Sequence, residues 1–273
     1  MVKFEFVPSS IADNHALFME YCQTLATPMD SFVEDYMLAA RFLSIKQGND
    51  TIGFYGLGEK DLVVFYLANP WTRYGPMLFE RAIIEHELKQ VYFQTSDCYL
   101  VSLLTDWEFE KKKGAYFFQD YCDVPEPSLD YSDISFNRAG TEDMAAIQEK
   151  TGGFFSPEDI NTGEIYALRS GEELLGCGIV VRGRFFTDCA SIGMVTCKEH
   201  RRRGVGRYIL WSLKQWCYAR QLQPIAGCWY YNTLSRRSLE SVGLSPRSRG
   251  MRAILNGKES IPERTGNPPG EPV

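Results

Sequence analysis

The feature that most constrains the fold of this chain is an order of elements that occurs twice. Residues 4–7 read as a strand, and Ser9, Ser10 and Asp13 offer N-caps to a helix running to about Leu25. Pro28 opens a second helix, to about Ala40. Residues 42–47, 51–57 and 62–68 alternate as an antiparallel meander around the turn Gly48-Asn49-Asp50. A helix over 77–88, a strand over 91–95, a short helix over 99–105 and a strand over 115–121 follow. About 130 residues on, the order begins again. Residues 134–138 form a strand, and Thr141 caps a helix that ends at Gly152-Gly153. Pro157 starts a further helix, and 164–170 and 174–181 alternate around the turn Ser170-Gly171. A long strand over 185–196, a helix to about Gln221, a strand over 225–231, a short helix over 235–241 and a strand over 249–255 complete the second set. Direct identity between the halves is slight, so the repeat lies in the architecture.

Between the two sets, residues 123–133 carry two prolines and no periodicity, as a linker does. The division expected from sequence is therefore a first domain over 1–122, a linker over 123–133, a second domain over 134–256 and a flexible tail over 257–273. With 273 residues, 44% hydrophobic and 23% charged, the chain has the composition of a soluble globular protein. Its eight cysteines show no C-x-x-C spacing and only three histidines accompany them, which argues against a metal site. The N-terminus has no secretory pattern and no stretch approaches 18 apolar residues, so a cytoplasmic protein without membrane contact is expected.

One local feature departs from this ordinary background. Arg201-Arg202-Arg203-Gly204-Val205-Gly206 lies between a strand ending at Thr196 and an amphipathic helix with Val205, Ile209, Leu213, Trp216 and Cys217 on one face. Three readings compete: a grip on nucleic acid, a solvated charge run, and a cradle for a small phosphate. The net charge of −6 and pI near 5.3 argue against a dedicated nucleic-acid binder. Strand, glycine-containing turn and helix N-terminus is the physical recipe for a phosphate cradle, because free N–H groups and the positive end of the helix dipole converge there. The loop lacks the Gly-Lys-Ser/Thr of a P-loop, and Ile209 stands where a dinucleotide fingerprint needs its third glycine.

The surrounding residues decide between these readings. The loop resembles the R-x-x-G-x-G loop of the GNAT superfamily of acyl-CoA-dependent N-acyltransferases. Asn232, Ser235, Gly243 and Leu244 resemble that family's next segment, with an Asn, a small residue three on, and a Gly-hydrophobic pair at plus eleven and plus twelve. The resemblance covers residues 134–255 and implies an α/β (α+β) chain. Two GNAT-like domains would stand in tandem, each a mixed, mostly antiparallel sheet flanked by helices.

The resemblance implies that acetyl-CoA is the cosubstrate, with no metal. Its pantothenate arm would pair with Met194, Val195 and Thr196, and its pyrophosphate would lie on Arg201, Arg202, Arg203, Gly204, Val205, Gly206 and Arg207. Asn232 and Ser235 would approach the cofactor arm, and Arg236 and Arg237 its 3′-phosphate. Direct acetyl transfer to a primary amine of a small molecule or peptide follows. Many members use a tyrosine four residues after the small residue as acid; here that position is Leu239. Tyr230 and Tyr231 are the substitute candidates, and Asp188 or Glu164 the candidate base. Phe154, Phe155 and Pro157 lie where acceptor-covering loops occur in this fold.

In the first half the matching loop is Thr72 to Met77, with Gly75 as first glycine, Thr72 in place of the arginine, Met77 in place of the second glycine and Pro76 removing a donor. Asp97 replaces the asparagine and Glu108 the glycine, which points to a degenerate copy that does not bind acetyl-CoA. Because of Leu239, the competing expectation is a CoA-binding but catalytically inactive sensor or interaction protein.

Overall fold

The computed structural model describes residues 3–59, 61–155 and 164–255. The first half runs β1 (Phe4–Ser9), α1 (His15–Thr24), α2 (Ser31–Leu38), β2 (Arg41–Gln47), β3 (Asp50–Leu57), β4 (Asp61–Leu67), a short 3-10 turn (Trp71–Tyr74), α3 (Gly75–Glu85), β5 (Gln90–Gln94), α4 (Cys98–Thr105) and β6 (Phe109–Asp120). The second runs β7 (Ile134–Arg138), α5 (Met144–Thr151), β8 (Glu164–Ser170), β9 (Glu173–Arg182), β10 (Cys189–Thr196), α6 (Val205–Tyr218), β11 (Gln223–Trp229), α7 (Thr233–Ser241) and β12 (Leu244–Leu255). Both halves thus follow one plan, a mixed and mostly antiparallel sheet with helices. The helix expected from Pro157 and the tail over 257–273 lie outside the described residues.

Three strands differ from their expected bounds. The strand expected over 185–196 starts only at Cys189, because the residues before it form the turn from β9, closed by the Gly183 N–H on the Cys189 carbonyl (3.0 Å) and the Cys189 N–H on the Phe186 carbonyl (2.9 Å). β6 begins earlier than the apolar pattern indicates, since Lys111, Lys112 and Lys113 mask its start. β12 likewise starts at Leu244, directly after Gly243, whose φ of 84° ends α7.

The compact units do not follow the two sequence halves. One unit gathers the chain up to Thr24, Ala39–Lys113 and the chain from Met251 on; the other gathers Leu25–Leu38 and Gly114–Gly250. In the first unit the strand order is β1-β2-β3-β4-β5, with the end of β12 beside β5. Its core joins Ile45, Phe65, Leu78, Phe79 and Leu100 to Ala253 and Leu255 of β12.

In the second unit the order is β6-β11-β10-β9-β8-β7. The strand from the first half is held in full register there, with Ile225 opposite Gln119 and Trp229 opposite Ala115. Helix α2 also belongs to this unit. Its backbone N–H at Ser31 donates to the Ser191 hydroxyl (2.8 Å), and Thr27 shares a hydrogen bond with Ser248 (3.0 Å).

Of the stripe of α6 foreseen from the sequence, Val205, Ile209, Leu213 and Cys217 are buried and Trp216 is half-buried, while Leu210 joins the buried face. Each large apolar side chain buried this way stabilises by roughly 1.5–3 kcal/mol. Residues 121–131 form no helix or strand, yet they are packed along α6. Trp211 donates to the Val124 carbonyl (3.0 Å), Gln215 to Asp123 (3.0 Å), and the buried Lys214 to the Cys122 and Val242 carbonyls (2.8 and 2.6 Å) while pairing with Asp120 (2.8 Å).

Candidate active site

The site in the second unit begins as a failure of two strands to stay together. β10 and β11 run parallel and are paired only from Cys189 opposite Gln223 to Ser191 opposite Ile225. Beyond that point β10 remains paired to β9 as far as Thr196, and β11 to β6 as far as Trp229. Each therefore presents one unpaired backbone edge to the other across a gap, and those N–H and C=O groups need partners. The gap opens into a cleft of about 700 Å³ lined by residues 192–196 of β10 and 227–229 of β11.

The N-terminus of α6 stands at one end of the cleft. Arg202 and Gly204 both have positive φ (64° and 83°), which turns the chain into the helix. No side chain caps this end, so the first N–H groups of the helix stay free and point along its dipole. Gly206 brings the helix onto β10: a Cβ there would press on Met194 and Thr196 at 3.0–3.2 Å. Uncapped donors, a positive helix end and the adjacent Arg201, Arg202 and Arg207 suit a pyrophosphate. The residues present therefore fit the acyl-CoA that this loop pattern implies.

Of the expected cosubstrate residues, Met194, Val195, Thr196, Arg201, Arg202, Gly204, Val205, Gly206, Arg207, Asn232 and Ser235 all line the cleft. Arg203 does not; its guanidinium lies 4.5 Å from the centre of the Tyr131 ring. A cation prefers a stacked aromatic face to bare exposure. Tyr131 is in turn bonded to the His200 ring (2.9 Å). The paired arginines of α7 also separate. Arg237 lines the cleft, whereas Arg236 donates to Glu240 (2.8 Å) and to the Tyr116 hydroxyl (3.0 Å). Asn232 caps α7 by accepting from the Ser235 N–H (3.0 Å), so one residue both starts the helix and borders the cleft.

The expected catalytic residues are not brought together. Asp188 is exposed just before β10, at the opposite end of that strand from Thr196, and does not line the cleft. Glu164 accepts from the Tyr166 hydroxyl (2.8 Å), away from the gap. Tyr230 is stacked on Tyr116 with ring centres 4.5 Å apart, and Tyr231 is exposed; neither lines the cleft. Leu239 does line it and is buried. Phe154 reaches the cleft, Phe155 turns into the core under Ile147, and Pro157 lies outside the described residues.

Sequence reasoning missed Gly227, Cys228 and Trp229 on the β11 side of the gap. Their signal was present, since they end the strand that leads into the capping Asn232. Burial pushes the Cys228 thiol up to about 11, so at neutral pH it is a thiol and not a nucleophilic thiolate. Among the described residues, no cluster of His, Cys, Asp and Glu could hold a metal ion, and no helix is long and apolar enough to cross a membrane.

The first unit carries the same split in a different condition. β4 and β5 are paired only from Asp61 opposite Gln90 to Leu62 opposite Val91. There the turn before α3 meets a side chain of the protein itself. Tyr99 donates to the Thr72 carbonyl (3.0 Å), and a Cβ on Gly75 would overlap the Tyr99 hydroxyl. Asp97 caps α4 by accepting from the Leu100 N–H (2.9 Å), the counterpart of Asn232. It is buried with the Tyr21 hydroxyl on it (3.1 Å), and burial raises its carboxyl to about 6.

Comparison with known proteins agrees with this geometry. Residues 10–121 match the family model described as an acetyltransferase (GNAT) domain, and residues 130–250 match the acetyltransferase (GNAT) family model. No curated protein sequence matches the chain. Among solved structures, a GNAT-family acetyltransferase from Colwellia psychrerythraea superposes with a TM-score of 0.79 at 18% identity, covering 93% of this chain and 99% of that one. A tandem GNAT protein from the clavulanic acid biosynthesis pathway, solved without acetyl-CoA, superposes with a TM-score of 0.61 at 12% identity, covering 92% and 98%. A GCN5-related N-acetyltransferase from Sphaerobacter thermophilus gives 0.58 at 12% identity, covering 92% and 94%. At such identities the solved structures speak for the fold, and the two family matches for descent. The chain belongs to the GNAT superfamily, with two of its domains in tandem.

Proposed function

We propose that the second unit is an N-acetyltransferase that uses acetyl-CoA to acetylate a primary amine of a small molecule or peptide by direct transfer. The observation that carries this reading is the gap between β10 and β11, closed at one end by the uncapped N-terminus of α6. The free edges of Met194, Val195 and Thr196 would take the pantothenate amides, and Arg201, Arg202, Gly204, Val205, Gly206 and Arg207 the phosphates. Acetyl-CoA supplies the activated acyl group as a thioester. Direct transfer suits the site because Cys228 is held as a thiol, so no acyl-cysteine is called for. A thiol of pKa about 8.5 leaves without much acid assistance, which makes Leu239 tolerable at the position where the family often has tyrosine. The arginine run faces the cleft or Tyr131, which argues against a nucleic-acid surface. All eight cysteines are free thiols, as a reducing cytoplasm would keep them.

In the first unit, Tyr99 occupies the turn that would otherwise face a phosphate, and buried Asp97 replaces the neutral amide. The reading is one acetyl-CoA site per chain. The test is a calorimetric titration of acetyl-CoA into wild type and Gly206→Glu. Wild type should bind one equivalent. The variant adds a side chain against Met194 and Thr196 and a negative charge beside the phosphates, and should bind at least about 100-fold more weakly. Absence of binding by wild type rejects the reading. Leu239 favours one alternative, a CoA-binding protein without turnover; binding with no acetylation across a panel of primary amines would support it.

A further inference from the structure

The gap between β10 and β11 has a second face. Along β11, Ala226 packs into the cluster formed with α6, so Gly227 faces the other side of the sheet by strand alternation. On that side stands the start of α2. Ser31 is pinned by its N–H to the hydroxyl of Ser191, the residue where β10 and β11 part. The preceding residue, Asp30, lies directly over Gly227. A Cβ added to Gly227 would overlap Asp30 Oδ2, so the absence of a side chain there is what gives this carboxylate its place at the gap.

The two oxygens of Asp30 have different duties. Oδ1 accepts from the Val33 N–H (3.0 Å) and caps α2. Oδ2 is the oxygen turned toward the Gly227 backbone. Burying a carboxylate is costly and needs an account. Asp30 is not itself among the residues that line the cleft; its Oδ2 lies against Gly227, which is, on the face of the sheet away from α6 and beside the point where β10 and β11 part.

We propose that Asp30 is the general base of the transfer, binding the acceptor ammonium and taking its proton, a role that rests on the acetyltransferase reading above. The ammonium gives one proton to Asp30 Oδ2. The neutral nitrogen attacks the thioester carbonyl carbon, a C–N bond forms and the C–S bond breaks. The nitrogen's second proton goes to the departing thiolate, and Asp30 returns its proton to solvent. The balance is ammonium plus thioester to amide plus thiol plus one proton.

The surroundings of Asp30 suit that task. Burial first, and the charges of Glu34 and Asp35 on the same helix, raise its carboxyl to about 7. Glu34 is committed elsewhere, accepting from the N–H groups of Arg184 and Phe185 (2.8 and 3.0 Å), and Asp35 pairs with Arg184. From the strands, Gly227 lies against Asp30, Ser191 is bonded to the adjoining Ser31 and Phe117 lies beside Gly227, and none of them is charged. A base poised near the working pH is the one that general catalysis favours.

The test compares the full-length wild type with Asp30→Asn, which keeps an oxygen for the Val33 N–H, and with Asp188→Asn as a control. Three readouts are taken: acetyl-CoA affinity by calorimetry, acetylation of a primary-amine panel against pH, and difference infrared titration of the carboxyl band. The expected result has acetyl-CoA affinity retained in both variants, and a cooperative thermal transition in each. Asp30→Asn should lose about 10²–10⁴-fold in kcat/KM. It should also lose the rise in kcat/KM centred near pH 7, together with a carboxyl band titrating there; Asp188→Asn should keep all three. If Asp30→Asn acetylates at the wild-type rate with the wild-type pH profile, or the band is absent from the wild type near pH 7, Asp30 is not the base. If wild type neither binds acetyl-CoA nor acetylates any amine, the proposed function itself falls and this role with it.

Discussion

Asp30 has a consequence for stability as well as for chemistry. Its carboxyl ordinarily titrates at 3.8 and is raised to about 7 in the folded chain, chiefly by burial. The folded state therefore holds a proton that the unfolded chain has already released between those values. Stability from this group is fully present below about pH 4 and is lost as pH rises through 7. Asp30→Asn cannot ionise and still caps α2. We expect its melting temperature to gain on that of wild type by several degrees between pH 4 and pH 8. Parallel melting curves across that range would remove the assignment of a raised carboxyl. Nothing in the sequence around Asp30 distinguishes it from any helix-capping aspartate. The side chains that desolvate it, and the bare Gly227 it covers, come from distant parts of the chain.

The elements that matter most are the short helices after each split pair of strands. α7 and α4 begin the same way, on Asn232 and Asp97, each accepting from the N–H three residues on. Removing either cap should be felt locally, but Asn232 borders the cleft between β10 and β11, whereas Asp97 is buried in the first unit. Asn232→Ala should cost about 1 kcal/mol of stability and weaken acetyl-CoA binding. Asp97→Ala should cost about 2 kcal/mol, since it also strands the Tyr21 hydroxyl, and leave acetyl-CoA binding unchanged. Chemical denaturation with a calorimetric titration on each variant tests both halves of that statement. An equal loss of binding in the two variants would contradict a single site in the second unit. This level was well legible in the sequence. Cap, turn and periodicity are local, so α7, β8 and the start of α6 could be placed from a few neighbouring residues. What periodicity missed were β6, whose lysines mask it, and the turn over 183–188, which reads as strand by composition alone.

For the whole chain, the composition of the compact units makes the folding of the halves interdependent. The unit that carries the cleft includes α2 and the stretch of β6 from Gly114 on, both from the first sequence half. A fragment beginning at Asp123 would lack the strand that pairs with β11 and would uncover the Asp120 end of the buried Lys214 interaction. Losing one partner of a buried ion pair costs about 3–5 kcal/mol. An exposed β11 edge adds a liability to aggregation. We expect residues 123–273 expressed alone to be insoluble or to lack a cooperative thermal transition by circular dichroism, while the full chain melts cooperatively. A soluble fragment that binds acetyl-CoA with full affinity would show that α2 and β6 are dispensable to the cleft. Sequence symmetry alone suggests a cut at residue 122, because a repeat is read along the chain.

By itself the sequence determined the repeated architecture, the GNAT resemblance, and the backbone cradle at Gly204 and Gly206. Each of these depends on residues close together in sequence, whose spacing along one strand, turn or helix is dictated by backbone geometry. The tertiary structure alone decided which arginines face the cleft, because Tyr131, from residues 123–133, draws Arg203 away. It also left Asp188 outside the cleft and brought Asp30 to the gap. Burial and proximity are properties of packing between segments far apart in the chain. A carboxylate becomes a plausible base only when other segments exclude water from it and a glycine on another strand leaves room for it.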